Sequence, residues 1–222
     1  MTFSAVIFDM DGLLVDSEPI WHEVERDLIE AQGYTYALDV RNSTIGLQVH
    51  EFAHIIYKHY PKVADSSEGV AQAIVKGMTS VPREKVKAQP GADAIIRYVA
   101  EQNIPRAIAS SSVQAIIEHF VEIMGWADLI PRRFSTEFVN RGKPAPDIYL
   151  YTTEQLGIPP EKCLALEDSP AGTQAAIAAG MTCYTVPDLS HCKISDFDGI
   201  NDNIYDSLFD VLDEFKTKAL LS

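Results

Sequence analysis

Residues 5–12 have the sequence Ala-Val-Ile-Phe-Asp-Met-Asp-Gly, and this stretch decides the fold and points to the chemistry. A short β-branched and aromatic run that ends at a turn glycine predicts a buried strand. Asp9 and Asp11 then lie at the carboxyl end of that strand. Like charges this close repel unless a cation lies between them, so the pair predicts a hard divalent ion held by oxygen ligands. A carboxylate can also attack phosphorus and form an aspartyl-phosphate.

The Asp-x-Asp-Gly motif also occurs in surface turns and resembles the start of a calcium-binding loop. Asp and Gly favour turns, so the motif alone leaves a plain surface turn open. A calcium-binding loop needs an oxygen ligand at its fifth position, glycine at its sixth and glutamate at its twelfth. Leu13, Leu14 and Ile20 occupy those positions, which excludes the calcium loop.

Composition sets the class of protein. The 222 residues are 46% hydrophobic, which is enough for one large core or for a core with a small second domain. Helical and strand patterns alternate along most of the chain, which predicts an α/β fold with a parallel sheet. The formal net charge of −14 argues against nucleic acid or an anionic membrane as a partner, because both require basic patches.

The cysteines and the first residues indicate the compartment. Cys163, Cys183 and Cys192 are odd in number, scattered, and without metal-ligand spacing, so we expect free thiols in a reducing environment. The first residues contain neither a basic region nor a long apolar stretch, so we expect no signal peptide. These features predict a cytoplasmic protein.

The pattern of apolar residues predicts two domains. Residues 16–82 show helical patterns only, with helices expected from about 18, at 50–60 and at 67–80, whereas 1–15 and 83–222 contain the strand patterns. Residues 81–91 are charged and bounded by prolines, which indicates a linker. The remaining expected elements are strands at 4–8, 106–109, near 134, 163–166 and 182–186, helices at 92–103, 113–124, 146–156, 171–179 and 206–220, and a surface loop at 188–203.

The insertion follows the carboxyl end of the first strand. In open parallel sheets, ligands bind outside the carboxyl ends of the strands. We therefore expect residues 16–82 to act as a lid over the binding site.

Three further motifs lie where predicted strands end. Ser110, Ser111 and Ser112 precede a helix, where hydroxyl and amide groups can hold a phosphate, although a simple serine cap accounts for one of them equally well. Lys143 lies in Gly-Lys-Pro-Ala-Pro, where the prolines would fix its ammonium beside the carboxylates instead of leaving it as a solvated surface charge.

The third motif is the acidic pair Glu167 and Asp168, which lies at the carboxyl end of a predicted buried strand. Acidic residues here often cap the next helix. They could also complete an oxygen cage around the ion that Asp9 and Asp11 begin to enclose. Mg²⁺ suits such a cage, because it takes one or two carboxylates and leaves room for a substrate phosphate.

With these motifs in this order, the chain resembles the haloacid dehalogenase-like superfamily, and within it the phosphatases and β-phosphoglucomutase-like enzymes with a small helical cap. The resemblance covers essentially the whole chain and includes Asp16-Ser17-Glu18 and Gly46. It implies a Rossmann-like three-layer core, an all-helical cap, Mg²⁺, and phosphoryl transfer through an aspartyl-phosphate.

The resemblance also implies roles for individual residues. Asp9 would be the nucleophile and a metal ligand, and Asp11 the general acid and base that also offers its carbonyl to the metal. Asp168 would complete the metal site with Glu167 in support. The phosphoryl oxygens would be held by Ser110, Ser111 and Lys143.

Three alternatives to a phosphatase differ in their sequence requirements. Dehalogenases of this superfamily lack the second aspartate, so Asp11 argues against that chemistry. Sugar-phosphate mutases of the same cap type usually have an arginine where this chain has Val49, and a histidine where it has Trp21. A non-catalytic binding protein on the same fold also stays open.

The substrate is expected to be a small phosphorylated metabolite, such as a phosphosugar or phosphoglycolate, because a closing lid excludes bulk. Candidate contacts from the cap are Glu18, Gly46 and Gln48. The expected oligomeric state is a monomer or a weak homodimer.

Overall fold

The computed structural model describes residues 2–44, 47–190 and 192–221. The chain forms two compact units, Met1–Asp16 with Lys87–Ser222, and Ser17–Val86. We call them the sheet unit and the helical unit. Within the sheet unit, Val15–Asp16 pairs antiparallel with Lys87–Ala88, so the two ends of chain that continue into the helical unit run side by side.

The elements are numbered in chain order. The strands of the described residues are β1 (Ala5–Phe8), β2 (Val15–Asp16), β3 (Lys87–Ala88), β4 (Arg106–Ser110), β5 (Arg132–Ser135), β6 (Cys163–Glu167) and β7 (Thr182–Thr185). The α-helices are α1 (Glu18–Glu30), α2 (Leu38–Thr44), α3 (Val49–His59), α4 (Ser67–Met78), α5 (Ala92–Glu101), α6 (Gln114–Ile123), α7 (Asp147–Leu156), α8 (Pro170–Ala178) and α9 (Leu208–Lys218). Short 3₁₀ helices occupy Arg83–Lys85, Thr136–Phe138, Pro160–Lys162 and Ile194–Phe197.

The main sheet has the strand order β5-β4-β1-β6-β7, and every neighbouring pair is parallel. β1 lies in the centre of the sheet. A strand in this position is covered on both faces, so the residues on both of its faces must be apolar. Its four residues are all buried. The parallel α/β sheet expected from the sequence is thereby confirmed.

Helices cover both faces of this sheet. Alternate residues of a strand point to opposite faces, and Ala5 and Ile7 of β1 belong to a buried cluster with residues of α7 and α8. Val6 and Phe8 point to the other face and are also fully buried. The sheet unit is therefore a three-layer Rossmann-like core.

The helical unit consists of α1–α4 and the 3₁₀ turn at Arg83–Lys85. Here α4 packs against α1 and α3, while α2 packs against α3. Ser66 begins α4 by accepting a hydrogen bond from the Gly69 amide at 3.0 Å, a typical serine cap. Among the described residues, no helix combines the length and the apolar character needed to cross a membrane.

Three local expectations were incomplete. Helix α2 was not expected, because its sequence Leu-Asp-Val-Arg-Asn-Ser-Thr has a weak helical period and several poor helix formers. The expected linker at 81–91 contains the 3₁₀ turn and β3. The expected surface loop at 188–203 contains a 3₁₀ helix whose Phe197 is fully buried, so part of it belongs to the core.

Candidate active site

Three carboxylates meet at the carboxyl ends of β1 and β6. The register pairs Phe8 with Leu166, and the amide of Asp9 donates to the Leu166 carbonyl at 2.9 Å. Asp9 therefore lies beside Glu167 and Asp168. Each of these three buried side chains offers an oxygen, and the three oxygens lie within 4.8 Å of one another. Such a set could hold a metal ion.

Lys143 connects two of these carboxylates. It lies in the loop before α7, and its ammonium donates to Asp9 Oδ1 at 2.5 Å, Glu167 Oε1 at 2.6 Å and the Ala109 carbonyl at 3.0 Å. An ammonium has three N–H donors, so these contacts use all of them. Its side chain is 6% exposed. The loop therefore holds the lysine in the site.

Glu167 is fixed by several donors. Besides the Lys143 ammonium, its Oε1 accepts a hydrogen bond from the Tyr149 hydroxyl. Its Oε2 accepts from the amide of Asp168 at 3.2 Å. Both Glu167 and Tyr149 are completely buried. Tyr149 was not expected at the site, because a tyrosine on the inner face of a helix is usually a core residue.

The serines after β4 lie around Asp11. Asp11 Oδ2 accepts hydrogen bonds from the Ser110 hydroxyl at 3.2 Å and from the Ser112 hydroxyl at 2.8 Å. The Ser111 carbonyl accepts from the Thr136 hydroxyl at 3.3 Å. Ser112 makes the shorter contact to Asp11; it belongs to the serine run singled out from the sequence, but only Ser110 and Ser111 were expected to hold the phosphate.

Burial dominates the electrostatics of the site. Burial, with further contributions from Glu167 and Asp11, raises the pKa of Asp9 to about 8, although Lys143 acts in the opposite direction. Burial and the neighbouring Asp9 and Glu167 also raise the pKa of Asp168 well above its usual range. For Lys143, burial lowers the pKa, but the two carboxylates outweigh it and raise the pKa above its ordinary value. The lysine is therefore an ammonium.

The sequence matches the haloacid dehalogenase-like hydrolase family over residues 3–180. That range contains every residue of the site described above. The chain belongs to this family. The family expected from the motifs is thus confirmed.

Two curated relatives of this haloacid dehalogenase-like hydrolase are phosphatases by name. Hexitol phosphatase B of Escherichia coli K12 is 32% identical over 82% of this chain and 83% of its own length. The phosphorylated carbohydrates phosphatase of Thermotoga maritima is 32% identical over 80% of this chain and 82% of its own length. The family and these relatives together support a phosphatase activity.

A solved structure shares the fold. A HAD family hydrolase from Deinococcus radiodurans R1, with bound phosphate and sodium, has a TM-score of 0.75 and 25% identity. The match covers 99% of this chain and 98% of that one. The fold described above is therefore that of a solved hydrolase with bound phosphate.

At two positions, a glycine allows the backbone to lie directly against a carboxylate of the site. A Cβ atom at Gly172, in the first turn of α8, would overlap the Glu167 carboxylate. A Cβ atom at Gly12 would overlap the Asp168 carboxylate, and Gly12 also has a φ of +81°, which side chains rarely adopt. The turn motif accounts for Gly12, but the sequence does not reveal the close approach at Gly172.

Two of the candidate cap residues, Glu18 and Gln48, belong to the helical unit. Glu18 begins α1 and is partly buried. Gln48 precedes α3, where its backbone N–H donates to the Glu51 carboxylate at 3.2 Å, so it begins that helix. Gly46 lies outside the described residues. A role in substrate binding stays a prediction for all three.

Proposed function

We propose that this protein is a magnesium-dependent phosphatase that hydrolyses a small phosphate monoester through a phosphoryl group carried on Asp9. One observation carries the proposal: a buried carboxylate at the end of the central strand touches a buried lysine and lies beside two further carboxylates. A nucleophile, a cationic group and a set of metal ligands are thus within a few ångströms of each other, as phosphoryl transfer requires.

The donor set fits Mg²⁺. When all three buried carboxyl groups are ionised, they carry two more negative charges than the one ammonium offsets, in a site from which water is largely excluded. Burial raises the pKa of Asp9 most, and the neighbouring carboxylates of Glu167 and Asp11 raise it further. Asp9 and Asp168 would be the side-chain ligands together with the Asp11 carbonyl. Glu167 would support them from outside, because Lys143, Tyr149 and the Asp168 amide already occupy its oxygens. When bound, Mg²⁺ would offset the negative charge of the phosphate and let one anion approach another.

Asp9 and Asp11 would carry the covalent chemistry. A carboxylate oxygen of Asp9 forms a bond to phosphorus while the bond from phosphorus to the ester oxygen breaks. Asp11 gives its proton to that leaving oxygen, and later takes a proton from the water that cleaves the aspartyl-phosphate. The hydroxyls of Ser110 and Ser112 hold the Asp11 carboxylate in place for this exchange.

Phosphate binding would fall to Lys143 and to the first two serines after β4. Lys143 touches Asp9, so it lies next to any phosphoryl group that approaches this residue, and it would exchange one of its three present contacts for a phosphoryl oxygen. Ser110 and Ser111 lie at the carboxyl end of the adjacent strand. We further propose that the helical unit acts as a cap, with Glu18, Gly46 and Gln48 as candidate contacts to the organic part of the substrate.

A phosphorylated sugar or sugar alcohol is the proposed substrate class, since both named relatives act on such compounds according to their names. We also propose a cytoplasmic location, supported by three free cysteines, and a monomer or weak homodimer. The mutase alternative is not favoured, because Val49 is a buried residue of α3 instead of an arginine that could hold a second phosphate.

A screen of small phosphate monoesters with Mg²⁺ tests the proposal. We expect release of inorganic phosphate that stops when EDTA removes the metal, with the highest kcat/KM for a sugar or polyol phosphate. Conversion of a sugar phosphate into its isomer without phosphate release would show a mutase. No reaction with any ester, in a protein shown to bind Mg²⁺, would contradict catalysis altogether.

A further inference from the structure

The hydroxyl of Tyr149 lies in an unusual place for a core tyrosine. Tyr149 is the third residue of α7, and its ring packs in the cluster that covers one face of the sheet. A phenylalanine would fill the same space. The hydroxyl, however, donates to Glu167 Oε1, the same oxygen that accepts from the Lys143 ammonium at 2.6 Å.

The carboxylate of Glu167 is held in one position by its neighbours. Its other oxygen accepts from the Asp168 amide at 3.2 Å. Gly172 lies so close to the carboxylate that a single added carbon would overlap it. With Glu167 fixed on these sides, a change in its hydrogen bonding acts on the donors that it holds, among them the Lys143 ammonium.

We propose that Tyr149 is a positioning residue, which acts through Glu167 to keep the Lys143 ammonium on Asp9. Lys143 is shared between two carboxylates, at 2.5 Å from Asp9 and 2.6 Å from Glu167. A carboxylate oxygen that already accepts one hydrogen bond attracts a second donor less strongly. The Tyr149 hydroxyl therefore weakens the attraction of Glu167 for the ammonium, and Asp9 keeps its share.

The inference rests on the proposed function for its effect on catalysis, but not for its effect on geometry. Without the hydroxyl, Glu167 holds the ammonium more strongly at the 2.6 Å separation that it already has, and the contact between Lys143 and Asp9, where a phosphoryl group would be transferred, lengthens. The Lys143 ammonium then stabilises the transition state less, because its attraction to the negative charge on the transferred phosphoryl group is strongest there. This loss lowers kcat and leaves KM nearly unchanged.

Tyr149→Phe tests this inference, with Tyr184→Phe as its matched control. Tyr184 is also a buried tyrosine of the sheet unit whose hydroxyl donates to a carboxylate, Glu214 Oε1, at 3.1 Å. With Mg²⁺ and p-nitrophenyl phosphate, we expect Tyr149→Phe to lower kcat about tenfold and to weaken inhibition by orthovanadate about equally, with KM changed less than about twofold. Tyr184→Phe should leave all three quantities unchanged.

Crystal structures of the metal-free wild type and Tyr149→Phe supply a readout that does not need activity. We expect the separation between Lys143 Nζ and Asp9 Oδ1 to increase from 2.5 Å to beyond about 3.2 Å, the upper range of such hydrogen bonds. An unchanged separation, or an unchanged kcat in an active enzyme, would overturn the inference. If the wild type hydrolyses no ester, the proposed function fails, and the two structures alone decide whether Tyr149 positions Lys143.

Discussion

The two units of this protein treat similar ion pairs in opposite ways. In the helical unit, Lys85 Nζ lies 2.6 Å from Glu23 Oε1, with the side chains 51% and 39% exposed. In the sheet unit, Lys143 Nζ lies at the same 2.6 Å from Glu167 Oε1, with the side chains 6% and 0% exposed. Since the two distances are equal, the pairs differ in their exposure to solvent and not in their geometry. The exposed pair is screened by water, whereas the buried pair must satisfy every donor and acceptor from within the protein.

The first turns of α4 and α8 repeat the contrast. Each helix begins with a serine that accepts from the amide of a glycine three residues later, Gly69 at 3.0 Å and Gly172 at 3.1 Å. The local sequence signals are therefore the same. A Cβ atom added at Gly69 would lie 3.1 Å from the Cβ atom of Ala64. A Cβ atom added at Gly172 would instead overlap the buried carboxylate of Glu167. The same capping motif therefore supports a plain helix in one unit and the candidate site in the other.

The largest expected effect comes from Asp9→Asn. The substitution keeps the shape of the side chain and removes the nucleophilic oxygen, so kcat for any phosphate ester should fall by at least about 10³-fold. Phosphate release with Mg²⁺ measures the loss. Asp65→Asn, at an exposed carboxylate of the helical unit, should keep wild-type kcat. An active Asp9→Asn enzyme would mean that the buried carboxylates of the sheet unit are not its nucleophilic centre.

Lys143→Met tests directly whether burial makes the ion pairs of Lys143 more important for stability than the exposed pair of Lys85. Removing the ammonium leaves Asp9, Glu167 and Asp168 buried without their cation, so the free energy of unfolding should fall by about 3–5 kcal/mol in EDTA. Mg²⁺ should restore part of it. Urea unfolding with and without the metal measures both effects.

Lys85→Met is the matched control for this experiment. Its pair is exposed, so the urea midpoint should hardly change, with or without Mg²⁺. Equal losses of stability in the two lysine variants would show that burial does not distinguish the two units.

The sequence predicted the sheet well because the buried strands are continuous apolar runs and their carboxyl ends share one edge. This rule places Asp9 next to Glu167 and Asp168 without any coordinates. It does not reveal Tyr149 or Gly172, because the first looks like a core residue and the second like part of an ordinary helix start. Their importance depends on what lies against them in three dimensions. Helix α2 was missed for a different reason, because packing against α3 overrides its weak helical propensity.

Gly172→Ala and Gly69→Ala sharpen the comparison of the two helix starts. Both add one methyl group three residues after a serine cap. At Gly172 the methyl group overlaps Glu167, so stability should fall by about 1–3 kcal/mol, and kcat should fall as well. At Gly69 the better helix propensity of alanine, about 1 kcal/mol, should offset the tight contact with Ala64. Thermal unfolding and kcat measure the two effects, and equal outcomes at both sites would contradict a special role for Gly172.

The smallest effect concerns Glu25, a carboxylate of the helical unit that accepts a hydrogen bond from the Tyr36 hydroxyl at 3.0 Å instead of from an ammonium. Burial raises its pKa from the ordinary 4.5 to about 7. Because the folded state holds the proton more tightly, its contribution to stability is complete below about pH 4.5 and is lost as the pH rises through 7.

Glu25→Gln removes this titration. The loss of stability between pH 5 and pH 8 should therefore be smaller in Glu25→Gln than in the wild type by about 1 kcal/mol, less than the full shift implies because solvent screens a half-buried side chain. Urea unfolding at the two pH values measures the difference, and the exposed Glu84→Gln should behave as the wild type does. An unaltered pH dependence in Glu25→Gln would mean that the helical unit tolerates this half-buried carboxylate without a loss of stability. In that case burial alone would not explain why the carboxylates of the sheet unit are paired with Lys143.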